Sequence, residues 1–152
     1  MLMNRLVRQR KGVALVEFAL VVMLLFTLFL GIIEFGVIIF RQFTLTQVAR
    51  EGSRHASLGR SVEQIEERIQ NTAGALNAND IVISLTYSTD DGQTYPNTLQ
   101  NNGPDNDALP GNLIKVHLDY PHHLVTGAFF APLFSAQNNT ITLNTDVIMR
   151  RE

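Results

Sequence analysis

Residues 13–40 read VALVEFALVVMLLFTLFLGIIEFGVIIF, and this stretch decides the fold. Its 28 residues contain only two ionisable side chains, Glu17 and Glu34. As a helix it would be about 42 Å long, more than the roughly 30 Å of a bilayer's hydrocarbon core. A cleaved secretory signal has a shorter apolar region that ends at a small-residue cleavage site. A buried core helix of this length exceeds what a small domain can cover. The stretch therefore predicts a transmembrane helix.

The charge on either side of this helix predicts its orientation. Residues 1–12 contribute +4 to a net charge of −2, so the remaining residues carry −6. The basic residues of this leader are Arg5, Arg8, Arg10 and Lys11. Basic residues that flank an apolar span are retained in the cytoplasm. We therefore expect a leader at 1–12, a span at 13–40 in the lipid of the inner (cytoplasmic) membrane, and an extracytoplasmic domain at 41–152. A basic tip on a mildly acidic body does not favour nucleic acid as a partner.

The two acids in the span have different expected positions. Glu17 lies four residues into the apolar stretch, and an acid at mid-membrane costs about 2.5–3.5 kcal/mol, less near the edge. Glu17 either reaches the cytoplasmic headgroups or pairs with a positive group in a helix assembly. Glu34 follows about 26 Å further along the axis, so it is expected at the opposite interface. There it is either a boundary residue or part of a contact with a specific partner.

The segment KGVALVEF at 11–18 resembles the processing site of type IV prepilins. The resemblance implies that a prepilin peptidase cuts between Gly12 and Val13. Glu17 would then face the new N-terminal amine of a neighbouring subunit and set the axial register. A carboxylate and an ammonium need each other in a helix bundle, because either one alone carries a large desolvation cost. Phe18 stands where relatives often have tyrosine, and the absence of proline from the span predicts a straighter helix.

Three further segments are similar to the TadE-like family, the pilin-related proteins of tight-adherence (Flp) pilus systems. They are GIIEFG at 31–36, AREGSR at 49–54 and MRRE at 149–152. The resemblance covers residues 10–58 and the last strand. It implies a non-enzymatic minor pilin or pseudopilin of a type IVb pilus, with other pilin or pseudopilin subunits and the pilus assembly platform as partners. The alternative is a permanently anchored extracytoplasmic binding or accessory module that does not polymerise.

Beyond Arg41 the helical pattern continues to an expected stop at Gly59. One face of this helix narrows to small side chains at Ala49, Gly52 and Ala56. This face either rests on the domain's own sheet, which is the favoured interpretation, or contacts another subunit.

The remaining periodicity predicts a second helix and then strands. Ser61 and Gln64 have capping-box spacing at the start of the helix. Alternation of apolar residues then marks three strands. Their apolar positions are Ile81, Ile83, Leu85, Tyr87; Ile114, Val116, Leu118, Tyr120; and Ile141, Leu143, Val147, Met149. We therefore predict an α+β fold, in which a long N-terminal transmembrane helix continues into a small pilin-like domain with a second helix and a roughly three-stranded antiparallel sheet.

Two connections have open interpretations. Residues 88–111 are polar, with a turn signal at Asp91-Gly92, and a connection this long is commonly functional or mobile. Residues 124–134 are apolar, and their Phe129, Phe130 and Phe134 either cover the core or form an exposed patch.

Nothing in the sequence indicates catalysis or a bound cofactor. The chain has no cysteine, which excludes disulfides and thiolate chemistry. Asp105 and Asp107 do not complete a calcium loop, and His117, His122 and His123 make only a weak metal cluster. We expect no catalytic residue, no cofactor and no metal.

Overall fold

The computed structural model describes residues 3–127 and 138–152, with side chains described from Gly12 onwards. The chain divides into two compact units, residues 1–36 and residues 37–152. Within the described ranges, helices precede strands, which confirms the α+β class. The elements are α1 (Met3–Ser57), α2 (Val62–Thr72), a short 3-10 helix (Ala78–Asp80), β1 (Val82–Ser88), β2 (Asn97–Thr98), β3 (Asn101–Asn102), β4 (Asp105–Asn106), β5 (Leu113–His123) and β6 (Thr140–Arg150).

Helix α1 is 55 residues long and ends at the predicted stop. Gly59 has a φ of +82°. Its N–H donates to the Ala56 carbonyl at 3.0 Å, and the Arg60 N–H donates to the His55 carbonyl at 3.2 Å. These two bonds form a Schellman motif, which places one residue in the left-handed region and therefore favours glycine there.

Helix α2 begins at the predicted cap. Ser61 is the N-cap, and its Oγ accepts a hydrogen bond from the Gln64 N–H at 3.4 Å. Ile65 and Ile69 are fully buried, because their spacing of four places both on the side of the helix that meets the core.

Four strands form an antiparallel sheet in the order β2-β1-β5-β6. In β5 alternate side chains are buried, because successive residues of a strand point to opposite faces. Val116, for example, is fully buried and lies opposite Leu85 of β1 and Val147 of β6. The three long strands confirm the prediction, and β2 adds a two-residue edge that the alternation did not show.

The core of the second unit lies between the buried face of this sheet and the two helices. Helix α1 contributes Leu45, Val48 and Ala49, and the polar connection contributes Leu99 and Ala108. These two connection residues are only 3% exposed, so the connection is part of the domain and contains β2, β3 and β4.

Hydrogen bonds order the start of this connection. Asp90 accepts from the Ser88 hydroxyl, from the Thr94 N–H at 3.0 Å and from the Thr94 hydroxyl at 2.6 Å. These bonds, that from Ser88 first, hold the pKa of the Asp90 carboxyl well below its usual range. Asp91 and Gly92 both have positive φ, as the predicted turn requires.

Asn106 closes the corner between α1 and α2. Its side chain is 3% exposed, and its Nδ2 donates to the carbonyls of Ala56 at 3.1 Å and Arg60 at 3.0 Å. Its backbone N–H donates to the Gly59 carbonyl at 2.9 Å. The Ala56 carbonyl already accepts from the Gly59 N–H, so Asn106 mainly supplies donors to the Gly59 and Arg60 carbonyls just beyond the helix end. The predicted aromatic residues Phe129, Phe130 and Phe134 lie outside the described residues.

Candidate functional site

The first unit presents a long apolar surface to its surroundings. Most bulky apolar side chains between Val13 and Phe29 are 58–72% exposed, on all sides of α1. Among the described residues, α1 is the one helix long and apolar enough to cross a membrane, over Gly12–Ser57. Length and composition thus agree with a single-pass anchor.

Glu17 lies exposed on this apolar surface. It follows Val13 by one helical turn, about 6 Å along the axis, and lies beside Val16 and Leu20. Among the described residues, no hydrogen bond or salt bridge reaches its carboxylate. The neighbouring Phe18 ring is 67% exposed.

The predicted processing site lies on an open stretch of α1. A Cβ built on Gly12 would meet no atom within 4 Å, and Val13 is 68% exposed. No side chain among the described residues packs over the peptide bond between Gly12 and Val13.

Glu34 differs from the rest of the first unit. Its side chain is fully buried, whereas Ile33 is 38% and Phe35 is 47% exposed. Among the described residues of the first unit, Glu34 is the only buried one.

The small-residue face of α1 lies inside the second unit. Ala49 and Ala56 are fully buried. A Cβ built on Gly52 would lie 2.7 Å from Ile69 Cδ1 of α2 and 3.8 Å from Val116 Cγ1 of β5. The structure therefore covers this face with the domain's own helix and sheet, the first of the two interpretations.

The opposite face of α1 in the second unit is open. Exposed residues recur at helical spacing along one side from residue 39 to residue 58, and we call this side the outer stripe. Its members are Ile39, Phe40, Phe43, Gln47, Arg50, Arg54 and Leu58. Phe43 is 67% exposed, so the stripe combines an apolar half, nearer the span, with a basic half. The sequence reasoning looked for small residues and did not identify this side, although a 3.6-residue period reveals it.

Arg41 is held at the start of the same helix segment. Its Nη1 lies 2.7 Å from His122 Nδ1, and its guanidinium carbon lies 6.0 Å from the centre of the Tyr120 ring. A guanidinium has only donors, so His122 Nδ1 is the acceptor in this contact. This contact joins residues 81 positions apart, and no local pattern announced it.

The C-terminal residues seal the end of α1. The Arg151 guanidinium lies against Gly59, where a built Cβ would come within 2.0 Å of Nη1. Arg151 Nε donates to the Ala108 carbonyl at 3.2 Å, and the Glu152 N–H donates to the Ser57 carbonyl at 2.9 Å. A cation at a helix C-terminus also suits the helix dipole. The segment MRRE thus meets the end of the helix that carries the segments GIIEFG and AREGSR.

The histidines do not gather into a metal site. Among the described residues, no group of three or more His, Cys, Asp or Glu could hold a metal ion. His117 Nδ1 lies 2.6 Å from Asp146 Oδ1 and its Nε2 lies 3.2 Å from Asp119 Oδ2. Burial opposes the charge on His117, but the hydrogen bond to Asp146 and the charge of Asp119 outweigh it and raise its pKa.

Comparison with known protein families gives a match, and it lies on the long helix α1. The model of the TadE-like protein family matches residues 12–54, which confirms the expected resemblance for the long helix; the last strand lies outside the match. No curated protein and no solved structure matches the chain. The family match indicates involvement in tight-adherence pilus systems, and it places Glu17, Glu34 and the outer stripe as far as Arg54 within the matched region.

Proposed function

From this TadE-like helix we propose that the chain is a non-enzymatic minor pilin or pseudopilin of a tight-adherence pilus. Residues 13–40 anchor it in the inner membrane, with the leader in the cytoplasm and residues 41–152 outside. The observation that carries the proposal is the uncovered apolar surface of a helix that matches the family over residues 12–54.

The exposed surface requires an apolar environment. Full burial of one Val, Leu, Ile, Phe or Met side chain is worth about 1.5–3 kcal/mol, and a dozen such side chains between Val13 and Phe29 are mostly exposed. Lipid satisfies them while the subunit is stored, and neighbouring apolar helices satisfy them in an assembly. The same helix therefore serves both states.

Glu17 gives the assembled state its register. Cleavage after Gly12 creates an ammonium on Val13, and the carboxylate of a neighbouring subunit is the group that neutralises it. Unpaired, an acid inside the membrane costs up to about 2.5–3.5 kcal/mol, so the pairing favours the axial offset at which the two charges meet.

Intact-mass and N-terminal analysis of the chain, expressed with and without its prepilin peptidase, tests the proposal. We expect a mature chain that begins at Val13 only when the peptidase is present. A leader that stays intact while related prepilins are processed in the same cells would support the permanently anchored, non-polymerising module instead.

Recovery of the chain in sheared pilus fractions tests the role of Glu17. Glu17→Ala and the isosteric Glu17→Gln should both reduce recovery, and the membrane-inserted amount should stay unchanged. Thr27→Val, a polar-to-apolar change inside the same span, serves as the matched control. Equal recovery of all three variants would refute the proposed role.

A further inference from the structure

Two arginines on the outer stripe have no ion-pair partner among the described residues. Arg50 and Arg54 are exposed and lie one helical turn apart. Among the described residues, neither guanidinium makes a salt bridge or a hydrogen bond. The apolar half of the same stripe, with Ile39 52% and Phe43 67% exposed, continues directly from these arginines. An exposed helix face that is partly apolar and partly basic is typical of a protein interaction surface.

Helix α2 carries acids at the same spacing. Glu63 and Glu67 are exposed on the side of α2 opposite Ile65, and together with Gln70 they form what we call the acidic ridge. Glu67 makes no salt bridge among the described residues. Glu63 accepts a hydrogen bond from Asn101 Nδ2, and its carboxylate also bonds to its own backbone N–H and to the Ser61 side chain; it remains exposed. The two glutamates, like the two arginines, are one turn apart, about 6 Å along the helix axis.

The packing of α2 on α1 determines which charges can meet. Arg68 donates to Glu51 at 2.7 Å through Nη2 and at 3.0 Å through Nε. A Cβ built on Gly74, just after α2, would lie 3.8 Å from Thr44 Cγ2. The later residue, Gly74, thus lies near the earlier residue of α1, Thr44. The two helices therefore run antiparallel.

We propose that the outer stripe binds the acidic ridge of a second copy of this chain. Arg50 meets Glu67 and Arg54 meets Glu63, and the same register places Gln47 opposite Gln70. Both copies keep α1 pointing in one direction, as chains anchored in one membrane with one orientation must. In this respect the inference rests on the proposed function.

The contact joins two different surfaces, so it is heterologous. Each copy that uses its outer stripe leaves its acidic ridge free for the next copy, and such contacts extend into rings or filaments. A symmetric contact through the free edge of β6 would instead reverse one copy. Gln42 of α1 bonds to Asn144 and Ser53 bonds to Val147, so this part of α1 runs in the direction of β6. Antiparallel pairing of two β6 edges would therefore point these α1 segments in opposite directions.

Disulfide crosslinking of the full-length chain in its membrane tests the proposal. The chain has no cysteine, so each introduced cysteine is unique. Two differently tagged copies, one with Gln47→Cys and one with Gln70→Cys, should form a mixed disulfide on mild oxidation. Copies that carry only Gln47→Cys, or only Gln70→Cys, should not crosslink to themselves, because a heterologous contact does not place like positions together.

Charge reversal then separates a specific contact from a random collision. Arg50→Glu with Arg54→Glu in the Gln47→Cys copy should lower the crosslink yield about fivefold, the effect expected of two exposed ion pairs. Glu63→Arg with Glu67→Arg in the Gln70→Cys copy should do the same. Co-expression of the two reversed copies should restore the yield, and this rescue shows that both variants fold.

Three results would overturn the proposal. They are equal yields in the reversed and unreversed pairs, self-crosslinking of the Gln47→Cys copy, and crosslinking of Gln47→Cys only to a different membrane protein. If the leader is processed and the chain enters pili while the mixed disulfide is absent, this inference fails and the proposed function stands. An intact leader with no recovery in pili means that the proposed function fails instead.

Discussion

Gly59→Ala is the substitution that tests most directly how the end of α1 is held. Gly59 has a φ of +82°, and an L-residue in the left-handed region costs about 1–2 kcal/mol. The new Cβ would also come within 2.0–2.3 Å of three atoms of the Arg151 guanidinium. Arg151 must then move and give up its hydrogen bond to the Ala108 carbonyl, which is worth about 0.5–1.5 kcal/mol. We expect a total loss of about 2–3 kcal/mol.

Gly103→Ala is the matched control. Gly103 also has positive φ, +68°, but a Cβ there would meet no atom within 4 Å. Gly103→Ala should therefore lose only the stability that the left-handed backbone conformation costs an L-residue, about 1–2 kcal/mol. The difference between the two variants isolates the contact with Arg151. In the double variant with Arg151→Ala, the extra cost of Gly59→Ala should largely disappear.

Tyrosine provides a selective assay for this prediction. The chain has three tyrosines and no tryptophan, and Tyr87, Tyr95 and Tyr120 all lie in the second unit. Near-ultraviolet circular dichroism of the full chain in detergent therefore reports unfolding of that unit. At roughly 4 °C per kcal/mol for a domain of this size, Gly59→Ala should lower Tm by about 8–12 °C. A loss no larger than that of Gly103→Ala would refute the reasoning about Arg151.

Two further predictions concern side chains of the same unit. Asn106→Ala removes the donors to the carbonyls of Ala56 and Arg60 and should cost about 2 kcal/mol in the same assay, whereas Asn→Ala at exposed Asn79 should cost well under 1 kcal/mol. The raised pKa of His117 means that the folded state binds its proton more tightly, so this stabilisation is complete below the unfolded pKa and is lost as pH rises through the folded pKa. Because His117 is partly exposed, the effect should stay below about 1 kcal/mol, and Asp146→Asn should flatten the dependence of Tm on pH between about 5 and 8.

Local patterns predicted the elements of this fold because their causes are local. The cap at Ser61 depends on a hydrogen bond three residues away, and the stop at Gly59 depends on the conformation of one residue. The buried face of β5 follows from alternation along a single strand. Each of these requires only neighbours in the sequence, and each is confirmed.

Contacts between distant residues were beyond such patterns. Asn106 bonds to the Ala56 carbonyl 50 positions away, and Arg151 packs on Gly59 at an even larger separation. The sequence therefore predicted that the connection at 88–111 is functional or mobile. Its polar residues do not indicate that one of them, Asn106, bonds to the end of a helix. The sequence also did not show which partner packs on the small-residue face of α1. Small residues identify a tightly packed face, but only the fold shows that the partner is Ile69 of the same domain.

The two sides of α1 in the second unit explain how one helix can serve both its domain and its neighbours. Ala49, Gly52 and Ala56 allow close packing inside the unit, where Ile69 of α2 and Val116 of β5 lie against this face. The proposed contact with a second copy uses the opposite side of the helix, the outer stripe, where Arg50 and Arg54 are exposed and would form ion pairs that are individually weak. Weak, solvated pairs can break and re-form while subunits slide past one another. A carboxylate in an apolar assembly cannot do so without a large desolvation cost, and for that reason Glu17, rather than the arginines, is the residue expected to fix the final register.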